Sequence, residues 1–225
     1  EKLCGQIPVN VSFFPKEKFN RALHAMKPAF EAGFCVSDLV GVADEGEQLG
    51  DLTVPIVKIV LVFVCSIVFN GALLKASIPL SSRFAGILQI RNHQPLRFVE
   101  LIHYAGCSLD PSAIFIRARM TSVRDAVKMG SGNILANFRE IPALCRPMVE
   151  NIVVKLSEAG LRLLLVMGDT SQPVCEVPVD LNKIGMVLLV GLNPIAAAEE
   201  AGIEAENYTM STVMEYRDLI KFEEL

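Results

Sequence analysis

Val54-Pro55, followed by Lys58-Ile59-Val60-Leu61-Val62-Phe63-Val64, reads as a turn leading into a strand. Its unbroken, β-branched apolar run means that both faces of the strand are covered. Val177-Pro178, followed by Lys183-Ile184-Gly185-Met186-Val187-Leu188-Leu189-Val190, repeats the pattern. Further matches keep the same order. Glu31-Ala32-Gly33 answers to Glu158-Ala159-Gly160, and Phe69-Asn70-Gly71 to Leu192-Asn193-Pro194. Arg83-Phe84 answers to Asn207-Tyr208, and Arg97-Phe98-Val99-Glu100-Leu101 to Lys221-Phe222-Glu223-Glu224-Leu225. Ordered matches at one offset, here about 124 residues, are the mark of an internal repeat.

Outward from the two buried strands, each half carries the same run of elements. Apolar segments at 9–14 and 134–138 read as strands. A helix is expected to start at Pro15 and at Pro142, because a first helical turn has no use for the N–H that proline lacks. Phe19, Leu23, Met26 and Phe30 form one apolar stripe at helical spacing, and Ile152, Val153 and Leu156 form another. Gly33 and Gly160 stand where a helix closes on a left-handed residue. Pro28 should kink the first helix or mark a break in it. Strands are then expected at 36–42 and 161–167, and polar turns at 44–47 and 168–171. Short helices at 71–76 and 194–201 should follow the buried strands. The rest of each half reads as shorter, more polar strands and loops. Ser108-Leu109-Asp110-Pro111 reads as a turn, and 113–116 as one more strand. Alternation of strands and helices implies the α/β class. The expectation is an internally duplicated α/β domain, with two similar strand-helix lobes, residues 1–112 and 113–225, related by a pseudo-twofold. A ligand would sit in the crevice between the copies.

Composition narrows the function. With 225 residues, 52% of them apolar, the chain can bury a sizeable core. A net charge of −4 argues against a nucleic-acid grip by this segment, which would need a basic face. The greasiest stretch, 59–69, is far short of the ~20 residues of a membrane helix, so no membrane partner is expected. The start of the chain lacks the basic flank and apolar run of a signal peptide. Cys4, Cys35, Cys65, Cys107, Cys145 and Cys175 are spread without a C-x-x-C pair, and His24, His93 and His103 add no zinc spacing. Reduced thiols in a cytoplasmic protein, with no metal and no cofactor, are the expectation.

One extended set of blocks is similar to a known family. It comprises Val64-Cys65-Ser66, Asn70-Gly71-Ala72-Leu73-Leu74-Lys75-Ala76, Ile78-Pro79 and Ser82-Arg83-Phe84. It continues with Ser108-Leu109-Asp110-Pro111, Phe138-Arg139-Glu140-Ile141-Pro142 and the stretch from Gly191-Leu192-Asn193-Pro194 through Ala196-Ala197-Ala198 to Ile203. In this order the blocks resemble the regulatory domain of NrpR-type archaeal nitrogen repressors. One departure is Val190, where family members tend to carry a second glycine before Leu-Asn-Pro. The resemblance implies the sensory part of a repressor of nitrogen-assimilation genes. It implies 2-oxoglutarate as effector, weaker operator binding once that effector is held, and a homo-oligomer, expected to be a dimer. DNA would be bound only through a helix-turn-helix that this sequence does not contain.

A dicarboxylate of this kind suits helix N-termini, whose free amides attract anions. Asn193-Pro194 reads as a cap followed by the first helical residue, and Asn70-Gly71 takes the equivalent place. Arginine best matches a carboxylate, and Arg83, in a polar loop, is the expected partner. A wall of hydroxyls should come from Thr209, Ser211 and Thr212. The expected ligand-binding residues are thus Cys65, Ser66, Asn70, Gly71, Ser82, Arg83, Gly191, Asn193, Ser211 and Thr212. Arg139 is expected to have a structural pairing, with the neighbourhood of Glu140 or with a backbone carbonyl. Two other readings stay open. Cys65-Ser66 at a strand end could be a nucleophile, although no G-x-S-x-G and no triad spacing with His93 or His103 accompanies it. The acidic, apolar end at 215–225 could serve a ligand-independent oligomerisation scaffold. Catalysis is not expected.

Overall fold

The computed structural model describes residues 4–50 and 52–225, with the side chains of Met210 and Ser211 outside the description. The first strand, β1 (Gln6–Pro15), leads through a 3-10 turn into α1 (Phe19–Glu31). Next come β2 (Leu39–Ala43), the small hairpin β3 (Gln48–Leu49) and β4 (Leu52–Thr53), and β5 (Lys58–Val64). α2 (Val68–Lys75) follows, then the long hairpin β6 (Ser81–Arg91) and β7 (Gln94–His103). Two short helices, α3 (Pro111–Arg117) and α4 (Val123–Met129), lead to β8 (Gly132–Pro142), α5 (Arg146–Glu158) and β9 (Leu164–Met167). The chain closes with β10 (Lys183–Leu189), α6 (Asn193–Glu200), β11 (Glu206–Glu215) and β12 (Ile220–Lys221).

The strands form two five-stranded sheets, β11-β1-β5-β2-β12 and β7-β6-β8-β10-β9. Every pairing within them is antiparallel, so the fold is mixed α/β without the parallel sheet of a doubly wound domain. Each sheet borrows a strand across the chain. β6 lies against β8, and β11 lies against β1. In β5, Leu61 and Phe63 enter one core while Val60, Val62 and Val64 enter the other. In β10, Val187 and Leu189 point one way and Ile184, Met186 and Leu188 the other. This strict alternation is why both sequences read as unbroken apolar runs. The first core is closed by α1, α3, α4 and α6, and the second by α2 and α5. Ala196, Ala197 and Ala198 are buried on α6, and their small side chains let α1 lie close against that helix.

Several expectations need correction. Pro15 and Pro142 end strands and do not begin helices. Proline's φ suits both conformations, and pairing with Lys58 and Lys183 holds the two prolines extended. α1 runs past Pro28 to Glu31. Gly33 and Gly160 do carry the positive φ expected after each helix. The segment 113–116 is helical, because Asp110 caps α3 by accepting from Ser112 N and Ala113 N, with Pro111 in its first turn. The segments 97–101 and 221–225 occupy unlike places. The former lies in β7 against β6, whereas Lys221 pairs with β2 and Phe222–Glu224 forms a 3-10 turn.

Candidate functional site

Where the two sheets meet, the ends of β5 and β10 come together. A Cβ on Gly191 would sit 2.5 Å from the Val64 carbonyl, so only glycine permits the approach. Beside this junction lies a cavity of about 220 Å³. The turn from β5 into α2 contributes Cys65, Ser66 and Ile67, and α2 itself Asn70. Asn10 comes from β1, Ser82 from β6, Asn137 and Arg139 from β8, and Thr209 from β11. Tyr104, Asp110 and Ser112 close one side, and Val190 and Leu192 another.

A hydrogen-bonded chain orders these groups. Tyr104 Oη donates to Asn137 Oδ1 at 2.7 Å, and Asn137 Nδ2 donates to Ser66 Oγ at 3.0 Å. Arg139 Nη1 donates to the Ser66 carbonyl at 3.4 Å and to Asn70 Oδ1, whose amide nitrogen reaches Ser82 Oγ at 3.3 Å. Arg139 is 3% exposed, and its Nε, also buried, has no partner. None of the ion pairs described includes it. Burial lowers its pKa from the ordinary 12.5 to about 10, so it stays cationic at neutral pH. Burial pushes Tyr104 up to about 12 and raises the Cys65 thiol and the Asp110 carboxyl. A buried cation without a carboxylate partner is costly unless an anion arrives to meet it. Among the described residues, the cavity thus holds one buried cation, Arg139, and one carboxylate, Asp110, that do not pair with each other.

Of the residues expected at a ligand site, Cys65, Ser66, Asn70 and Ser82 line this cavity. Others are engaged elsewhere. Arg83 Nη1 binds the fully buried Glu140 at 2.8 Å and lies 3.7 Å from Asp180, so it is not the free carboxylate partner expected. Asn193 is not a helix cap. It lies within α6 and is wholly buried, with Oδ1 accepting from Leu135 N at 2.8 Å and Nδ2 donating to Leu135 O at 3.0 Å. β10 ends at Leu189 opposite Ala136, so the Asn193 amide stands in for the partner that Leu135, paired with Ile87 of β6, lacks on the β10 side. Asn70 likewise sits inside α2, whose cap position is Ile67, and Gly71 is exposed on that helix. Gly191 is buried at the strand junction, and Thr212 lies far along β11 opposite Val9, near Gly50. The side chain of Ser211 lies outside the described residues.

Sequence reasoning passed over Asn10, Tyr104, Asp110, Ser112, Asn137 and, above all, Arg139. Period-two alternation was the available signal, since Asn137 and Arg139 share one face of β8 and Glu140 takes the other. Arg139 accordingly does not pair with Glu140, which instead holds Arg83 and Lys183. Among the described residues no histidine lines the cavity, no group of ligating side chains could hold a metal, and all six cysteines are free thiols. No described helix is long and apolar enough to cross a membrane. A larger, open cleft of about 720 Å³ lies between Lys58, Arg117, Arg119 and Glu204. Part of its charge is already committed, since Lys58 pairs with Glu206 and Glu200 caps α4.

Two antiparallel sheets with their helices, and a small polar cavity lined by Arg139 and Asp110 at their junction, define a mixed α/β domain. The family described as NrpR regulatory domains NRD1 and 2 matches residues 1–221, and the chain belongs to that family. It is 36% identical over 215 residues to the global nitrogen regulator NrpRI of Methanosarcina mazei, covering 96% of this chain and 66% of that protein. It is 28% identical to the global nitrogen regulator NrpR of Methanocaldococcus jannaschii, covering 98% of this chain and 36% of that one. The chain thus spans less than two thirds of the length of these relatives. A nitrogen repressor-like protein from Methanococcus jannaschii has a crystal structure that superposes with a TM-score of 0.80 at 26% identity, over 97% of this chain and 89% of that one.

Proposed function

We propose that this domain is the sensory part of a cytoplasmic repressor of nitrogen-assimilation genes. It binds 2-oxoglutarate in the Arg139 cavity and thereby weakens operator binding by an attached helix-turn-helix. Membership of a regulatory-domain family and relatives named as nitrogen regulators support the class. The observation that carries the ligand is Arg139, a buried cation lining a cavity whose one carboxylate among the described residues, Asp110, does not pair with it. One carboxylate of the ligand would meet Arg139, and the amides of Asn10 and Asn137 and the Ser66 hydroxyl would serve its remaining oxygens. At about 220 Å³ the space suits a small metabolite and not a nucleotide cofactor.

We also infer that the chain is a duplication. The order β1-α1-β2-β5-α2-β6 is matched by β8-α5-β9-β10-α6-β11, and the sheet segments β11-β1-β5-β2 and β6-β8-β10-β9 correspond. Under that equivalence Asn10 and Asn137, opposite Phe63 and Leu188, occupy matching places and enter one cavity on the pseudo-twofold. A homodimer is proposed from the resemblance alone.

A thermal-shift series with 2-oxoglutarate, oxaloacetate, glutamate and glutamine, followed by calorimetry, tests the ligand. Stabilisation by 2-oxoglutarate that grows with concentration is expected. No shift at millimolar 2-oxoglutarate would sink the assignment. Sedimentation of the same sample tests the dimer.

A further inference from the structure

We propose that Asp110 takes up a proton as a dicarboxylate enters the cavity, which makes it the residue that sets the preferred charge of the ligand. The inference rests on the cavity reading above. Among the described lining residues Arg139 is the only cation and Asp110 the only carboxylate, and they do not pair. Asp110 instead accepts from Ser112 N and Ala113 N, each at 3.2 Å, and from the hydroxyls of Thr209 and Ser112. A dianion would place three negative charges against one positive in about 220 Å³. Carboxylates that share a desolvated site cannot all remain ionised.

The balance is simple. The ligand dianion, the Asp110 carboxylate and one proton from solvent become the same dianion, held between Arg139 and a neutral Asp110 whose O–H donates to a ligand oxygen. The charged or titratable groups facing Asp110 are Arg139 from β8, Tyr104 after β7 and Cys65 after β5; Cys107 lies in its own connecting segment, its thiol directed at the Leu109 carbonyl. Burial holds Tyr104 and Cys65 neutral, and Arg139 remains charged below about pH 10. Burial likewise raises Asp110 before any ligand arrives, so it is the lining group nearest to accepting a proton. A monocarboxylate brings one charge fewer and has less need of the proton.

The test is calorimetry of the intact domain with 2-oxoglutarate, in buffers of low and high ionisation enthalpy, between pH 6 and 8. Wild type should take up close to one proton, and Kd should weaken by up to about tenfold per pH unit. Asp110→Asn keeps a cap acceptor for α3. It should show no uptake, a flat profile and tighter binding at pH 8 than wild type. 2-Oxovalerate, a monoanion of the same chain length, should bind wild type with little uptake, a control that needs no variant. Binding without proton uptake, or equal uptake in Asp110→Asn, overturns this inference and leaves the cavity reading standing. Absence of 2-oxoglutarate binding in every buffer overturns both.

Discussion

Arg139→Met should make the free domain more stable and its ligand binding much weaker. The drop in the Arg139 pKa from 12.5 to about 10 corresponds to about 3 kcal/mol against the charged form in the folded state. Methionine removes that penalty and keeps much of the apolar stem. It also removes the hydrogen bonds to the Ser66 carbonyl and Asn70 Oδ1, which contribute about 1 kcal/mol each. The remainder is about 1 kcal/mol in favour of the variant, or roughly 2–4 °C in Tm for a domain of this size. With ligand present the sign reverses, because the lost charge-assisted contact contributes about 1.5–3 kcal/mol, or about 10- to 150-fold in Kd. The pH dependence has a definite sign as well. The folded chain releases this proton from about pH 10 and the unfolded chain only at higher pH, so this residue's contribution rises as pH climbs above about 10, and the variant lacks the rise. Scanning fluorimetry with and without 2-oxoglutarate, beside calorimetry, reads both quantities. A fall in Tm of more than a few degrees with an unchanged Kd would refute the reasoning and mark Arg139 as a purely structural residue.

Glu140→Gln should lose about 2–4 kcal/mol in urea unfolding while leaving ligand affinity within about twofold, since a fully buried carboxylate there holds Arg83 and Lys183. The lower part of the range is favoured because both cations are about a third exposed and can turn to water. Gly191→Ala should cost about 1–3 kcal/mol, because its Cβ would meet the Val64 carbonyl at 2.5 Å and push the two strand ends apart; an unchanged melting curve would contradict that junction. In timed alkylation followed by mass spectrometry, exposed Cys4 should react first. Cys35, pushed up to about 12 by burial, and Cys65 should react last, and 2-oxoglutarate should slow Cys65 further. Equal rates at Cys4 and Cys65 would show that the cavity opens freely.

The parts of the fold that were legible are those whose burial is local in cause. β5 and β10 could be read because each is covered on both faces. α1 could be read because its stripe faces one core. The β6–β7 hairpin was visible only as part of the shorter, more polar strands and loops. Asn92 and His93 both adopt positive φ, but Asn-His lacks the glycine that usually announces such a turn. Its strands also read as polar, because β7 is largely exposed at a sheet edge. The short apolar run at 113–116 fits strand or helix equally by periodicity, and the cap at Asp110-Pro111 was the stronger evidence. Arg139 was hidden for a different reason. Its burial is created by β6, which crosses from the other half of the chain, and no local pattern announces that crossing.

Strand exchange also explains why the cavity has one cation and not two. Under the proposed duplication, β1 and β8 are equivalent, and the partner of Arg139 is Ser12. Ser12 is fully buried and donates to Asn207 Oδ1 at 2.7 Å, so that half uses the position to fasten β11. The other half fastens β6 through Glu140 and Arg83, and Arg139, held by the Ser66 carbonyl and Asn70, lines the cavity. A symmetric pair of arginines on the axis would hold a dicarboxylate in either direction, and an asymmetric one admits a single orientation. A ligand with unlike ends, a plain carboxylate at one and a 2-oxo acid at the other, requires that asymmetry. Under the proposed duplication and ligand, divergence of the copies at this one strand position would let the site distinguish the two ends of the ligand.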